Sequence, residues 1–243
     1  DEGLFYVSCA GGKTTTAKFR YTPEDAPKDC FFMQASVKGL TGGHSGDDIN
    51  KKRANAIKLL ARFLYLEQRK MPVRLAQFNA GKLHNAITRE GSIVFAVPFE
   101  EKETVRVDWN IFCSDVEEEF QVTEKSIVWH MESTDRQMVM PKECGEKIIT
   151  ALQAVHNGVF SVCQDDALGG MTETSSNTAV ISTTVADEEN NQGECRIVCS
   201  QRSNVMSNLT NMVNTVRAVF ELAGADDITH SDGYPAWTMN PES

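Results

Sequence analysis

This chain of 243 residues carries no basic surplus: 34 Asp and Glu against 24 Lys and Arg leave a formal charge of −10. A nucleic-acid binder needs clustered Lys and Arg to neutralise phosphates, and the one dense basic group, Lys51-Lys52-Arg53, lies in a helical pattern, so no nucleic-acid partner is expected. No run approaches the roughly 18 apolar residues of a membrane span. The five histidines, His44, His84, His130, His156 and His230, show neither a helical i, i+4 pair nor zinc-finger spacing with cysteine. On a strand Cys195 and Cys199 would stand about 13 Å apart, at roughly 3.3 Å per residue, too far to share a metal without a bend. No complete metal site is therefore expected within the chain. A GxSxG nucleophile elbow is absent. The glycine loop at 39–46 lacks the Lys-Ser/Thr of a phosphate-binding loop.

A disulfide framework is equally unexpected. The seven cysteines, Cys9, Cys30, Cys113, Cys144, Cys163, Cys195 and Cys199, are odd in number, scattered and set among aliphatic residues. That usage fits reduced thiols and a cytoplasmic location. The chain starts Asp1-Glu2-Gly3, and the apolar run from Leu4 already has the character of a strand. A segment of a longer protein is expected.

The patterns that are present predict an α/β (α+β) chain. The start suggests a hairpin up to Tyr21, followed by a proline-containing linker. Phe31, Met33, Ala35 and Val37 alternate with Phe32, Gln34 and Ser36, the period of a strand with one better-buried face. A helix is predicted over 47–68, capped by Ser45 with Asp48 and starting directly after His44. Strands at 73–78 and 92–97, a helix over 99–120 and a strand at 126–131 complete the order β-α-β-β-α-β, the ferredoxin-like arrangement. A helix over 141–155, strands at 178–186 and 194–200 around a polar turn at 187–193, and a helix over 206–223 repeat these themes. The expected architecture is two βαββαβ-type half-modules side by side, with antiparallel sheets and helices on one face.

The acidic groups Glu117-Glu118-Glu119 and Glu188-Glu189 fit solvated charge, and the Asn208 sequon falls inside a helix. Three polar elements stand out instead. His44 sits among Gly42, Gly43 and Gly46, which offer no side chains to pack around an imidazole, so it is presented outward. Asn85 and Arg89 follow a strand and a glycine in KLHNAITREG, and Arg202 ends a strand in CSQRS. An imidazole, an amide and a guanidinium without a nucleophile suit holding a carboxylate-bearing ligand.

GLTGGHSGDDINKKRANAIKLLARFL, HNAITRE, MTETSSN and YPAWTMNP, in that order, resemble the bacterial aminoacyl-histidine (Xaa-His) dipeptidases of the M20 metallopeptidase family across essentially the whole chain. The resemblance implies the ferredoxin-like lid domain of a zinc-dependent dipeptidase. Residues 1–29 would be a stub and crossover from the catalytic domain, 30–230 the lid, with halves at 30–133 and 134–230, and 231–243 the return. Two zinc ions and a glutamate base would belong to the catalytic domain, so this chain alone would be inactive. The resemblance also assigns His44 to the substrate carbonyl, Asn85 and Arg202 to the substrate near its carboxylate, and no role to TETSSN. The implied partners are a dipeptide and the protein's own catalytic domain, with homodimerisation open. Thr88, where relatives commonly have proline, is expected to loosen the Asn85 loop. The alternatives are a standalone ligand-binding or dimerisation module, or the lid of another M20 peptidase or deacylase.

Overall fold

The computed structural model describes residues 9–164, 170–184 and 191–237. In chain order its elements are β1 (Gly11–Tyr21), β2 (Cys30–Lys38), β3 (Gly43–His44), α1 (Ala56–Gln68), β4 (Arg74–Ala80), β5 (Ala86–Ile87), β6 (Gly91–Pro98), α2 (Lys102–Glu119), β7 (Val128–Ser133), α3 (Lys142–Ala154), β8 (Gly158–Val162), β9 (Thr172–Thr184), β10 (Gly193–Ser203), α4 (Met206–Leu222) and β11 (Asp227–His230). The apolar run starting at Leu4 and residues 187–190 of the polar turn lie outside the described residues. The expected hairpin does not turn at Gly11 and Gly12, because both already belong to β1.

Period-two alternation decides which side chains enter the core. Met33, Ala35 and Val37 of β2 and Ile93, Phe95 and Val97 of β6 are fully buried in one cluster with residues of all four helices. Phe32, Val94 and Ala96 point the other way, where Ala26 and Val139 cover them in a small second cluster. At the centre of the main core Phe63 of α1 meets Trp109 of α2 edge-on, with ring centroids 4.8 Å apart. Burying one such side chain stabilises the fold by roughly 1.5–3 kcal/mol.

Two antiparallel halves form one sheet of nine strands in the order β11-β1-β10-β9-β4-β6-β2-β7, with β8 added to β9. From β2 to β7 the expected β-α-β-β-α-β order is realised, in the spatial order β4-β6-β2-β7. The other half repeats it as β1, α3, β9, β10, α4, β11, in the spatial order β9-β10-β1-β11. Its first strand thus comes from residues 11–21, and the whole β2–β7 unit is inserted between that strand and α3. β1 is paired along its entire length, from Gly11 opposite Ser203 to Tyr21 opposite Gly193.

The halves meet through their edge strands β4 and β9, whose ladder holds a single register pair, Ala80 opposite Ile181. Side chains continue the seam where the backbones diverge. Asn79 Oδ1 accepts from the Thr183 N–H at 3.0 Å, and the Phe78 N–H donates to Thr183 Oγ1 at 3.1 Å. Three buried or half-buried amides extend it: Asn55 Nδ2 donates to the Thr178 carbonyl at 2.8 Å and lies 3.3 Å from both Asn157 Oδ1 and Asn177 Oδ1. Asn157 Oδ1 in turn accepts from the Thr178 N–H at 2.8 Å. Backbone groups that cannot reach a ladder partner are thereby satisfied, as burial demands.

On the helical side Lys58 of α1 performs the same service. Its Nζ donates to the carbonyls of Leu152, Gln153 and Val155 at the C-terminal end of α3, which otherwise end without intrahelical partners. Burial pulls the Lys58 pKa down to about 8. Replacing Lys58 with Met keeps the stem and removes the donors, and urea unfolding should show a loss of about 1–3 kcal/mol. Because the folded pKa lies below the ordinary 10.5, the unfolded chain binds more protons between these values. The stability gap between wild type and Lys58→Met should therefore widen as pH rises from about 8 to 10.5. A gap that stays level or narrows contradicts the assignment.

Candidate functional site

Between β2 and α1 the chain makes no immediate helix, and the reason lies in Asp48 and Asn55. Asp48 does not cap a helix: its Oδ2 accepts from the His44 N–H at 2.8 Å, while Oδ1 meets Lys51 Nζ at 2.6 Å and Arg53 at 3.2 Å. The Lys51 hydrogen bond, then the His44 N–H and the Arg53 charge, hold its carboxyl below the usual carboxylate range. After a single 3-10 turn at Ile49–Lys51, α1 starts at Ala56, capped by Asn55, whose Oδ1 accepts from the Ile57 N–H at 2.9 Å. The capping box predicted at Ser45 and Asp48 is therefore replaced by an Asn55 cap, and Ser45 Oγ is buried without a partner among the described residues. Asparagine wins because it caps the helix and binds the opposite half at once.

His44 instead belongs to a two-residue ribbon, β3 with β5, in which Gly43 faces Ile87 and His44 faces Ala86. The Ser45 N–H donates to the Asn85 carbonyl at 2.9 Å, so His44 and Asn85 sit side by side. Gly43, at φ +134°, is required there, because a Cβ would fall 2.2 Å from Arg53 and 2.4 Å from Asp48. The side-chain amide of Asn85 makes no hydrogen bond to the described residues.

Arg202 reaches the same place from the other half. It stands on β10 opposite Gly12, its Nη2 is 3.4 Å from His44 Nε2, and its Nη1 donates to the Tyr234 hydroxyl at 3.0 Å. Gly12 leaves room for the phenol, since a Cβ would come within 2.7 Å of that ring. On the other side of the imidazole, Asp47 Oδ2 is 2.9 Å from Nδ1. The Asp47 N–H also lies 3.4 Å from Nδ1, so Asp47 meets this nitrogen with an acceptor and a donor and accommodates the ring proton on either Nδ1 or Nε2. Arg202 Nε is buried without a partner, and no carboxylate pairs with Arg202 among the described residues. Next to it lies a cavity of about 230 Å³ lined by His84, Ser200, Arg202 and Tyr234. This arrangement can hold an anionic ligand with the guanidinium and place a hydrogen-bonding imidazole beside it.

His44, Asn85 and Arg202 thus converge, although His44 and Arg202 are 158 positions apart, whereas Arg89 donates from Nε to the Leu40 carbonyl at 3.0 Å. Asp47, His84 and Tyr234 were not anticipated in this role. Tyr234 lies in the conspicuous YPAW stretch, but only β1 brings that stretch to Arg202. Thr88 reverses its expectation: it is buried, and its hydroxyl donates to the Ala179 carbonyl at 2.8 Å, tying down the Asn85 loop rather than loosening it. No His, Cys, Asp and Glu side chains gather into a group of three fit to hold a metal among the described residues. Likewise no described helix is long and apolar enough to cross a membrane.

With this geometry in view, comparison with known proteins defines the class: the relatives of this chain are peptidases. The cytosol non-specific dipeptidase of Escherichia coli K12 is 32% identical over 246 residues, a match covering all of this chain and 48% of that protein. The crystal structure of an aminoacylhistidine dipeptidase from Vibrio alginolyticus superposes with a TM-score of 0.88 at 33% identity, over 98% of this chain and 47% of that one. The chain therefore resembles the aminoacyl-histidine dipeptidases throughout its length and shares their mixed, mostly antiparallel fold. It spans about half the length of either relative. No family model matches.

Replacing Thr88 with Val keeps the shape and deletes the hydroxyl. Chemical denaturation should show a loss of about 1 kcal/mol, and faster hydrogen exchange at Ala56, whose N–H donates to the Thr88 carbonyl at 3.0 Å. Unchanged stability and exchange would return Thr88 to a passive filler.

Proposed function

We propose that this chain is the substrate-capping lid of a zinc-dependent Xaa-His dipeptidase of the M20 family, acting in the cytoplasm together with its own catalytic domain. The observation that carries the reading is the meeting of His44 and Arg202 across the two halves, at 3.4 Å, beside Asn85. The dipeptidase relatives and their location in the cytosol, as named for the Escherichia coli protein, support it. On this reading the lid comprises β1 together with residues 30–230, and the segments before β1 and after residue 230 lead to the catalytic domain. The described residues offer no ligand set for zinc, so the two ions implied by the resemblance are assigned to the remainder of the protein. The chain alone is then inactive.

The work of this chain is to bind, orient and exclude water. Arg202, whose guanidinium has no carboxylate among the described residues, takes the dipeptide carboxylate, and Asn85 adds amide hydrogen bonds beside it. A carboxylate on Arg202 draws the guanidinium away from His44 Nε2. With Nδ1 accepting from the Asp47 N–H, the neutral ring carries its proton on Nε2, and that donor meets the scissile carbonyl as negative charge develops on its oxygen. Closure of the lid shields the bond from bulk water.

The test is hydrolysis of Xaa-His dipeptides by the full-length protein with zinc, beside dipeptides of other C-terminal residues. At equal folded fraction, His44→Ala should lower turnover roughly 100- to 1,000-fold with the metal still bound. Unchanged turnover would remove His44 from the chemistry. Equal rates on all dipeptides would replace the Xaa-His preference with a broad one.

A further inference from the structure

We propose that Asn177 is a positioning residue that fixes His44 and Asn85 relative to Arg202. The inference rests on the lid reading and explains the TETSSN stretch, to which the family resemblance assigns nothing.

The ribbon that carries His44 and Asn85 is too short to stand alone, since β3 and β5 share only two register pairs. Something outside it must set its position. Asn177, on β9 of the opposite half, donates from Nδ2 to the Ala86 carbonyl at 2.8 Å. Ala86 is both the residue facing His44 in the ribbon and the neighbour of Asn85. The Oδ1 of the same amide lies 3.3 Å from Asn55 Nδ2, so one side chain of 1% exposure joins the ribbon, the cap of α1 and the β9 backbone. Only an amide of this length supplies a donor and an acceptor at the two ends.

Its place on the sheet explains the consequence for the site. Asn177 pairs with Ser200 on β10, two positions from Arg202. The half of the molecule that supplies the guanidinium thus also holds the carbonyl opposite the imidazole. Asn177 sets the span between the group assigned to the substrate carboxylate and the group assigned to the scissile carbonyl. Without this strut both side chains survive, but their separation is no longer fixed, and misplacement by about 1 Å can cost on the order of 100-fold in rate.

The discriminating pair is Asn177→Asp, which keeps volume and acceptor but turns the donor into a second acceptor against Ala86, and Asn79→Ala, which breaks the seam at its far end. Both should lower stability. Only Asn177→Asp should shift the 15N signals of the His44 ring and the Ser45 amide in this chain. In the full-length protein it should lower kcat roughly 10- to 100-fold with a smaller change in KM. Loss of stability in both variants with His44 signals unmoved in either would overturn the proposal. If Asn177→Asp fails to fold, wild-type hydrogen exchange decides. The Ser45 amide should exchange as slowly as that of Thr178, and exchange faster by orders of magnitude would show a ribbon that opens independently of β9. Should His44→Ala leave hydrolysis intact, the lid reading falls, while the ring signals still decide whether Asn177 is a strut.

Discussion

Everything about the site depends on the edge-to-edge seam between β4 and β9. Two sheet edges that share only one register pair would normally expose unpaired N–H and C=O groups. Here Asn79, Thr183, Asn55, Asn157 and Thr88 supply the missing partners from side chains. Such bonds are directional, so the halves are set at one relative position where apolar packing alone would tolerate slippage. A guanidinium from one half and an imidazole from the other can then meet within hydrogen-bonding range. Lys58 reinforces the same junction from the helical side by binding the end of α3.

The nesting of the halves is as important as the seam. Because β1 belongs to the unit that otherwise follows α3, the β2–β7 unit is held at both ends by one partner half. Its chain entry and exit are fixed before any long-range contact in the site is considered. Strand β1 also carries Gly12, whose missing side chain admits the Tyr234 phenol that braces Arg202. A single strand therefore joins sheet closure to the orientation of Arg202. The site itself is assembled on loops and strand ends, where backbone freedom and exposure allow a ligand to enter, while its supports are buried amides on β9 and at the start of α1.

The proposed lid role accounts for why these features occur together. A capping domain must be rigid enough to fix two recognition groups and exposed enough to present them to another part of the protein. The half-exposed imidazole of His44 answers the second need. The fully buried Asn55 and Asn177 answer the first. Asp47 and Asp48, adjacent in sequence, divide the labour around His44: one carboxylate meets its ring and the other its backbone.

By itself the sequence determined the element types, because period-two alternation in 31–37 and helical stripes such as Leu209, Met212, Val216 and Phe220 are local consequences of one buried face. It also marked His44, Asn85 and Arg202, through glycine-rich or strand-end surroundings that leave a polar side chain no core to join. It misread the start of α1, because Ser45 and Asp48 have the spacing of a cap while the competing bonds, from Asp48 to the His44 backbone and from Asn55 to β9, involve tertiary partners. Likewise the family resemblance marks Thr88 as a departure from proline that would loosen the loop, and only the carbonyl of Ala179, 91 positions away, makes it a tie. Tertiary structure alone decided that the two halves form one sheet, that β1 serves the second of them, and that Tyr234 and Asn177 reach Arg202 and the His44 ribbon. These are pairings between sheet edges distant in the chain, set by which unpaired backbone and amide groups meet in space, and no local periodicity encodes them.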